Sequence, residues 1–494
     1  MAPIRLSREA ITRLPPHVAR PTYDLEAVSP GIVHLGLGGF HRAHMARFTH
    51  DLMCLRPGAS SWGILGAGLM PGDSALHAAL AAQDRLYSLV ERDGAAETVT
   101  VIGALAGLVG AWETTAPLLA AIDAPGVRIV SLTVTANGYG LNPATRSLDP
   151  AHPLIAQDLA RPDTPRSAVG VLVEALRRRR IAGRPAFTAL SCDNIQGNGA
   201  VLRAAVLDFA RRREPALADW IEARGRFPST MVDRITPLTQ ASDIVGLADR
   251  HGLADQAPVV CERFIQWVIE DDFADGRPDW DLVGAQFVAD VAPYERMKLR
   301  LLNASHLAVA ALGRLIGYEF VHVAMADTRL ADFMRALMDR ETGPTLEPVP
   351  GVDLAAYKAT LIARFANPAI RDTVERVNTD APLNYLLDPI RDRLAAGESV
   401  DLLALALAAW MRRVRGVDES GGPIDVRHPL AAELRAAAMR GGADPGPLFA
   451  IRALFGDLGD DPRLAGPTAR WLASLYNAGA AATLAGLDLT KPLA

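Results

Sequence analysis

Lysine is nearly absent from this sequence. Of 51 basic residues only Lys298, Lys358 and Lys491 are lysine; the rest are arginine. Codon bias is the bland source of such a skew. Yet of the two cations only lysine sheds its proton when desolvated. Lys491 lies in the C-terminal tail and Lys358 in an amphipathic pattern, so Lys298 is the lysine that asks for a chemical explanation. Cysteine is as scarce. Cys54, Cys192 and Cys261 are far apart and odd in number, which argues against a disulfide framework or a thiolate zinc site and fits a reducing cytoplasm. A basic excess is missing too: 56 acidic residues stand against 51 basic ones, so nucleic acid and anionic membranes are poor partners. No long apolar run exists. The longest, Leu402 to Met411, is about half a bilayer span. The N-terminal Met-Ala-Pro-Ile-Arg is not a signal peptide. The expectation is a soluble, cytoplasmic chain whose 494 residues form two domains.

The first half alternates strand and helix patterns. Gly31–Gly36, Trp62–Gly66, Val127–Thr135 and Phe187–Cys192 read as buried parallel strands. Ser167 to Ile181 reads as a helix with an apolar stripe of Val169, Leu172, Val173 and Leu176. Its basic end, Arg177 to Arg180, suits a helix C-terminus and reads as a solvated face. Strands alternating with helices predict an α/β fold, a doubly wound parallel sheet. Beyond about residue 290 helical periods dominate: Glu295–Leu315, Thr328–Asp339, Asp353–Ala366, Asp401–Arg413 and Pro467–Asn477. The last opens on proline, which suits a first helical position. The predicted division is 1–285, sheet-based, and 286–494, mainly α-helical, with a proline-marked loop at 344–351.

Four constellations carry chemistry. Gly36-Leu-Gly38-Gly39-Phe40-His41-Arg42 follows a strand and opens a helix, an arrangement that lets backbone approach a pyrophosphate. His41 stands where a third glycine is usual, and an ordinary glycine turn is an equal reading. Asp73 is the candidate ribose-binding acid after the second strand, although it lies further along than is usual. His41 and His44 lack a third ligand nearby, so no metal is expected, and packing beneath the turn is the better reading. The second constellation runs from Glu295 to His306. At about 100° per residue, with Lys298 at zero, Glu295 falls at roughly 60°, His306 at roughly 80° and Asn303 at roughly 140°. This polar arc suits a hydroxylated ligand, and a partly polar packing interface is as good a reading. Tyr294-x-x-x-Lys298 matches a short-chain dehydrogenase pair, but it lies beyond the sheet domain and is discounted. Third, Asn194 in Ser191-Cys-Asp-Asn194 follows a predicted strand, at the carboxyl end where ligands bind open sheets. Fourth, Asp233-Arg234 in Met231–Pro237 reads on its own as a structural ion pair.

Together these segments, with Arg364-Phe-Ala-Asn-Pro368, resemble the polyol-specific long-chain dehydrogenases. The likeness implies a Rossmann-like domain followed by a helical substrate domain, NAD as cofactor, no metal, and a small polyol or ketose as substrate. It implies Lys298 as general base for oxidation and acid for reduction. Asn194 and Asn303 would hold the reacting oxygen, His306 would orient the hydroxyl, and Glu295 would relay protons. Asp233 and Arg376 would bind the other hydroxyls. Gly36, Gly38, Gly39, Phe40, His41, Arg42 and Asp73 would hold the cofactor. The sequence departs from the family at Ala136, where an acid is usual, and at Arg263, where proline is usual. It departs again at Asn384 in Asp380-Ala-Pro-Leu-Asn384, in place of a substrate-contacting lysine. A hexuronate reductase of the same family is the near rival. A non-catalytic NAD(H)-binding sensor is the rival of another class. Neither the sugar nor the oligomeric state is legible.

Overall fold

The computed structural model describes residues 2–142, 145–379 and 382–489. The chain divides into two compact units, Met1–Val291 and Ala292–Ala494.

The first unit is built on five parallel strands. In spatial order they are Leu105–Gly110, Gly63–Gly68, Pro30–Leu35, Ile129–Leu132 and Thr188–Ser191. In chain order this is 3-2-1-4-5, so the winding reverses between Pro30–Leu35 and Ile129–Leu132. Side chains alternate across the sheet. Val33, Leu35, Val130 and Leu132 enter one core with Val169, Leu172, Val173 and Leu176 of the helix Ala168–Ile181. Ile32, Ile64, Ile129 and Leu190 enter the other with Met45, Phe48 and Leu52 of the helix Met45–Leu55. Both faces are covered, which is why these strands read as continuous apolar runs. Further strands escape the sequence pattern. Tyr87–Asp93 and Ala96–Ile102 form an antiparallel hairpin in a second sheet with Val259–Glu262 and Val18–Ala19. Thr230–Asp233 pairs antiparallel with Gln266–Glu270.

Ser167 caps Ala168–Ile181, its hydroxyl accepting from Gly170 N–H at 3.0 Å. The basic end of that helix is not the solvated face expected. Arg179 is buried and donates to the carbonyls of Ile122, Ala124, Val127 and Pro185. Arg177 and Arg178 pair with the buried Glu174, and Arg180 with Glu214. Guanidinium groups that span loop carbonyls staple this end of the helix to the sheet.

Among the described residues the second unit has helices and no strand beyond isolated bridges. The continuous helical run Ala292–Ile316 is long and apolar enough by composition to cross a membrane, but it is mostly buried. It packs against Asp401–Arg413, which packs in turn on Pro462–Asn477. That last helix corrects the expected start at Pro467. Asp461 accepts from Arg463 N–H at 2.9 Å and Pro462 takes the first position, leaving Pro467 inside the helix.

Candidate functional site

The carboxyl end of Pro30–Leu35 runs into the glycine turn, beside the reversal of the sheet. Gly36 has φ +90°, and a Cβ there would lie 2.3 Å from the Thr133 carbonyl oxygen, so glycine is required. Gly38 and Gly39 differ. A Cβ on Gly38 would meet only the Gly36 oxygen at 3.9 Å, and one on Gly39 only Thr236 Cγ2 at 3.8 Å. Their backbone faces open space. The Thr133 hydroxyl donates to the Gly36 carbonyl at 2.8 Å, and His34 Nε2 lies 2.9 Å from the Thr133 hydroxyl.

Phe40 is half-buried and stacks on His44, with centroids 5.0 Å apart. The side chains of His41 and Arg42 are buried. His41 is buried and stacked on His34 at 3.4 Å. Burial drives His34 down to about 3, and burial with the neighbouring His34, Arg42 and His44 holds His41 well below its ordinary value. Arg42 donates to the Ala257 carbonyl and lies over the Tyr87 ring. His44 donates from Nε2 to the Gln266 carbonyl at 2.9 Å. Asp73 lies past the carboxyl end of Gly63–Gly68, where its carboxylate accepts the Leu69 and Met70 N–H groups, each at 2.9 Å.

Asn194 is exposed just beyond Thr188–Ser191. Asp233 is buried as the last residue of its strand. Arg234 finds its ionic partner in Glu91, and also donates to the carbonyls of Glu262 at 3.0 Å and Ala43 at 2.6 Å. The polar role of Glu91 was hidden in an unrecognised strand.

In the second unit Lys298 closes the helix Ala292–Lys298 at 6% exposure. The run then changes register. Leu299–Asn303 is a π-turn, with Ala304 N–H donating to the Leu299 carbonyl, and the α-helix resumes at Ala304. Five residues make the turn that four normally make. Corrected for that, Asn303 moves to roughly 40°, His306 to about −20°, and Glu295 stays near 60°. The arc narrows from roughly 140° to roughly 80°. The π-turn therefore brings Lys298, Asn303 and His306 together on one side of the helix. Asn303 is buried, and its amide oxygen has no hydrogen-bond partner among the described residues. The His306 ring lies 4.7 Å from that of Phe365, and Glu295 is half-buried. Tyr294 is buried and donates to the Pro350 carbonyl at 2.8 Å, which engages the hydroxyl that a short-chain pair would need.

Arg376 donates twice to the Asp372 carboxylate. Asn384 is exposed at the start of the helix Asn384–Ala395. Asp380 and Ala381 of the motif before it lie outside the described residues. Arg263 is exposed between the strands Val259–Glu262 and Gln266–Glu270, and Ala136 begins a short 3₁₀ turn. Among the described residues no three His, Cys, Asp or Glu side chains gather as metal ligands.

Residues 30–282 match the model of the mannitol dehydrogenase Rossmann domain, and residues 290–476 that of the mannitol dehydrogenase C-terminal domain. Mannitol 2-dehydrogenase of Aspergillus fumigatus is 41% identical over 470 residues, 92% of this chain and 93% of the relative. D-mannonate oxidoreductase of Escherichia coli is 44% identical over 450 residues, 90% of this chain and 92% of the relative. Among solved structures, Pseudomonas fluorescens mannitol 2-dehydrogenase in ternary complex with NAD and D-mannitol matches with a TM-score of 0.91 at 41% identity, covering 99% of this chain and 100% of that one. With most of each unit matched, this chain belongs to the mannitol dehydrogenase family.

Proposed function

We propose that this chain is an NAD-dependent oxidoreductase that interconverts a polyol and a ketose, with Lys298 as its proton-transferring group. The observation that carries the reading is the π-turn, which sets Lys298, Asn303 and His306 on one side of the helix with the Asn303 side chain buried there. The open backbone at Gly38 and Gly39 beside the sheet reversal fits a dinucleotide, and the related ternary complex contains NAD. NAD, when bound, accepts the hydride from the carbinol carbon. The residues supply the rest. Lys298, as the free amine, takes the hydroxyl proton during oxidation and returns it during reduction. Asn303 holds the oxygen as its charge develops, a role that the family resemblance gives to Asn194 as well. His306 orients the hydroxyl, and Glu295 passes the proton on. Asp233, and Arg376 once shared with Asp372, bind the distal hydroxyls.

The deciding experiment is oxidation rate against pH for wild type, Lys298→Ala, Lys298→Arg and Tyr294→Phe. The free amine is the active form, so oxidation rises with pH. Lys298→Ala is expected to lose several orders of magnitude in turnover, roughly the combined worth of proton transfer and positioning. Lys298→Arg keeps charge but cannot shed a proton, and is expected to stay inactive. An inactive Tyr294→Phe beside a near-normal Lys298→Ala would refute the assignment.

A second reading is favoured by the 44%-identical D-mannonate oxidoreductase: the substrate is a keto-uronate, whose carboxylate needs a cation, for which Arg263 is available. A panel of C4 to C6 polyols, ketoses and keto-uronates followed by NADH absorbance separates the two. NADH binding with no turnover on any member would mark a sensor instead.

A further inference from the structure

Among the described residues, four that are not glycine adopt positive φ, and Thr135 is the β-branched one. Its φ of 62° and ψ of 167° define a region natural to glycine and strained for threonine. One carboxylate holds it there. Asp193 accepts Thr135 N–H at 2.7 Å on one oxygen, and Val134 N–H at 3.2 Å and the Tyr139 hydroxyl at 2.8 Å on the other. Tyr139 is itself tied to the Ser191 hydroxyl at 2.6 Å. The Asp193 main chain is pinned too: its carbonyl accepts Ile195 N–H at 2.9 Å and Asn198 Nδ2 at 3.0 Å. These bonds clamp the carboxyl ends of two neighbouring parallel strands, Ile129–Leu132 and Thr188–Ser191, and Asn194 is the next residue along. Burial pushes the Asp193 carboxyl up, and its donors oppose that shift.

We propose that Asp193 is a positioning residue, which holds the strained Thr135 turn and the Asn194 backbone in one arrangement so that both strand ends present a fixed face to cofactor and substrate. The inference rests on the dehydrogenase reading of Asn194. A glycine at position 135 adopts positive φ unaided, so it makes the clamp dispensable. That gives a double-mutant cycle. Asp193→Asn cannot accept both backbone N–H groups, and in the wild-type background it is expected to weaken NADH binding by about tenfold or more. In a Thr135→Gly background the same change is expected to cost less than about threefold. NADH affinity of the folded protein is read by quenching of tryptophan fluorescence, with the melting temperature recorded for each variant. A purely structural residue would lower the melting temperature without this coupling. If Asp193→Asn does not fold, Tyr139→Phe, which removes one donor to the same carboxylate, takes its place. Equal effects in both backgrounds, or unchanged NADH affinity in the Asp193 variant, overturn the proposal. A wild type that binds NADH but turns over no polyol or keto-uronate defeats the dehydrogenase reading instead, and leaves the binding cycle interpretable.

Discussion

Asp73 shows how one carboxylate can serve two purposes. One of its oxygens accepts two backbone N–H groups that shape the turn after Gly63–Gly68. In the ribose-binding role proposed for it, its charge at the carboxyl end of the second strand would oppose the extra phosphate of NADP. Asp73→Ala should therefore relax the preference for NAD and cost about 1 kcal/mol of stability, as other lost backbone caps do. Catalytic efficiency with each cofactor, beside the melting temperature, checks both parts. Equal use of NAD and NADP by wild type removes Asp73 from the role. Asn384 poses the opposite problem, since it lacks the charge usual in the family. A neutral amide grips distal hydroxyls weakly, so mannitol should be a mediocre substrate and Asn384→Lys should raise kcat/KM for it. The lysine would sit at a helix start, where the dipole disfavours a cation by about 0.3–1 kcal/mol, so a small loss of stability should accompany the gain. A wild type that already prefers mannitol, and is harmed by the lysine, contradicts this. Neither residue could be placed from sequence alone: the distance of Asp73 from the glycine turn is atypical, and Asn384 is informative only against a family pattern.

Helical periodicity found the element that carries Lys298 but misplaced Asn303 around it. A π-turn has no sequence period of its own, because the residues before and after it keep the ordinary spacing. The hairpin Tyr87–Asp93 and Ala96–Ile102 was missed for a different reason. Glu91, Arg92, Asp93 and Glu97 break its apolar pattern, and Arg47, Arg234 and Asp243, which pair with Glu91 or Arg92, lie far off in sequence. Pro467 misled because proline marks a helix start more often than an interior, and Asp461-Pro462 is the true start. A second π-turn, Met338–Thr342, yields a prediction of its own. It carries Glu341, fully buried, whose two carboxylate oxygens accept Leu402 N–H at 2.9 Å and Leu403 N–H at 2.7 Å at the start of Asp401–Arg413. Burial pushes this carboxyl from 4.5 up to about 7, against the pull of those two donors. Between these values the folded protein keeps a proton that the unfolded chain has released, so its stability falls as pH rises through the window. Glu341→Gln should remove that slope, which is on the order of 3 kcal/mol in total. Urea unfolding of both proteins at several pH values measures the difference, and a flat difference curve shows that Glu341 does not titrate there.

At the scale of the whole molecule, most of the parallel sheet and the helical character of the second unit were legible. Both rest on short-range patterns: apolar runs covered on two faces, and 3.6-residue stripes. What stayed hidden was long-range, such as the clamp of Asp193 on Thr135 or the joining of Arg234 to Glu91 and Ala43. Ligand linkage tests the whole chain at once. NADH at about a hundred times its Kd should stabilise the folded protein by about 2.7 kcal/mol. Lys298→Ala should keep that gain, because the role proposed for the lysine is proton transfer and not dinucleotide binding. A thermal shift with NADH that vanishes in Lys298→Ala would place the lysine in cofactor binding instead.

The near-absence of lysine has a practical side. Reagents that attack amines, such as succinimidyl dyes, aldehyde fixatives and lysine-directed cross-linkers, find few targets here. Lys358 is held against Asp339 and Lys298 is buried. Immobilisation through surface amines would have few points of attachment on a chain that is otherwise rich in charge, and carboxylates would offer many more. The same scarcity turns a drawback into a probe. Once the amino terminus and the two other lysines are blocked, Lys298 is the one amine left, and its burial makes it the slowest to label.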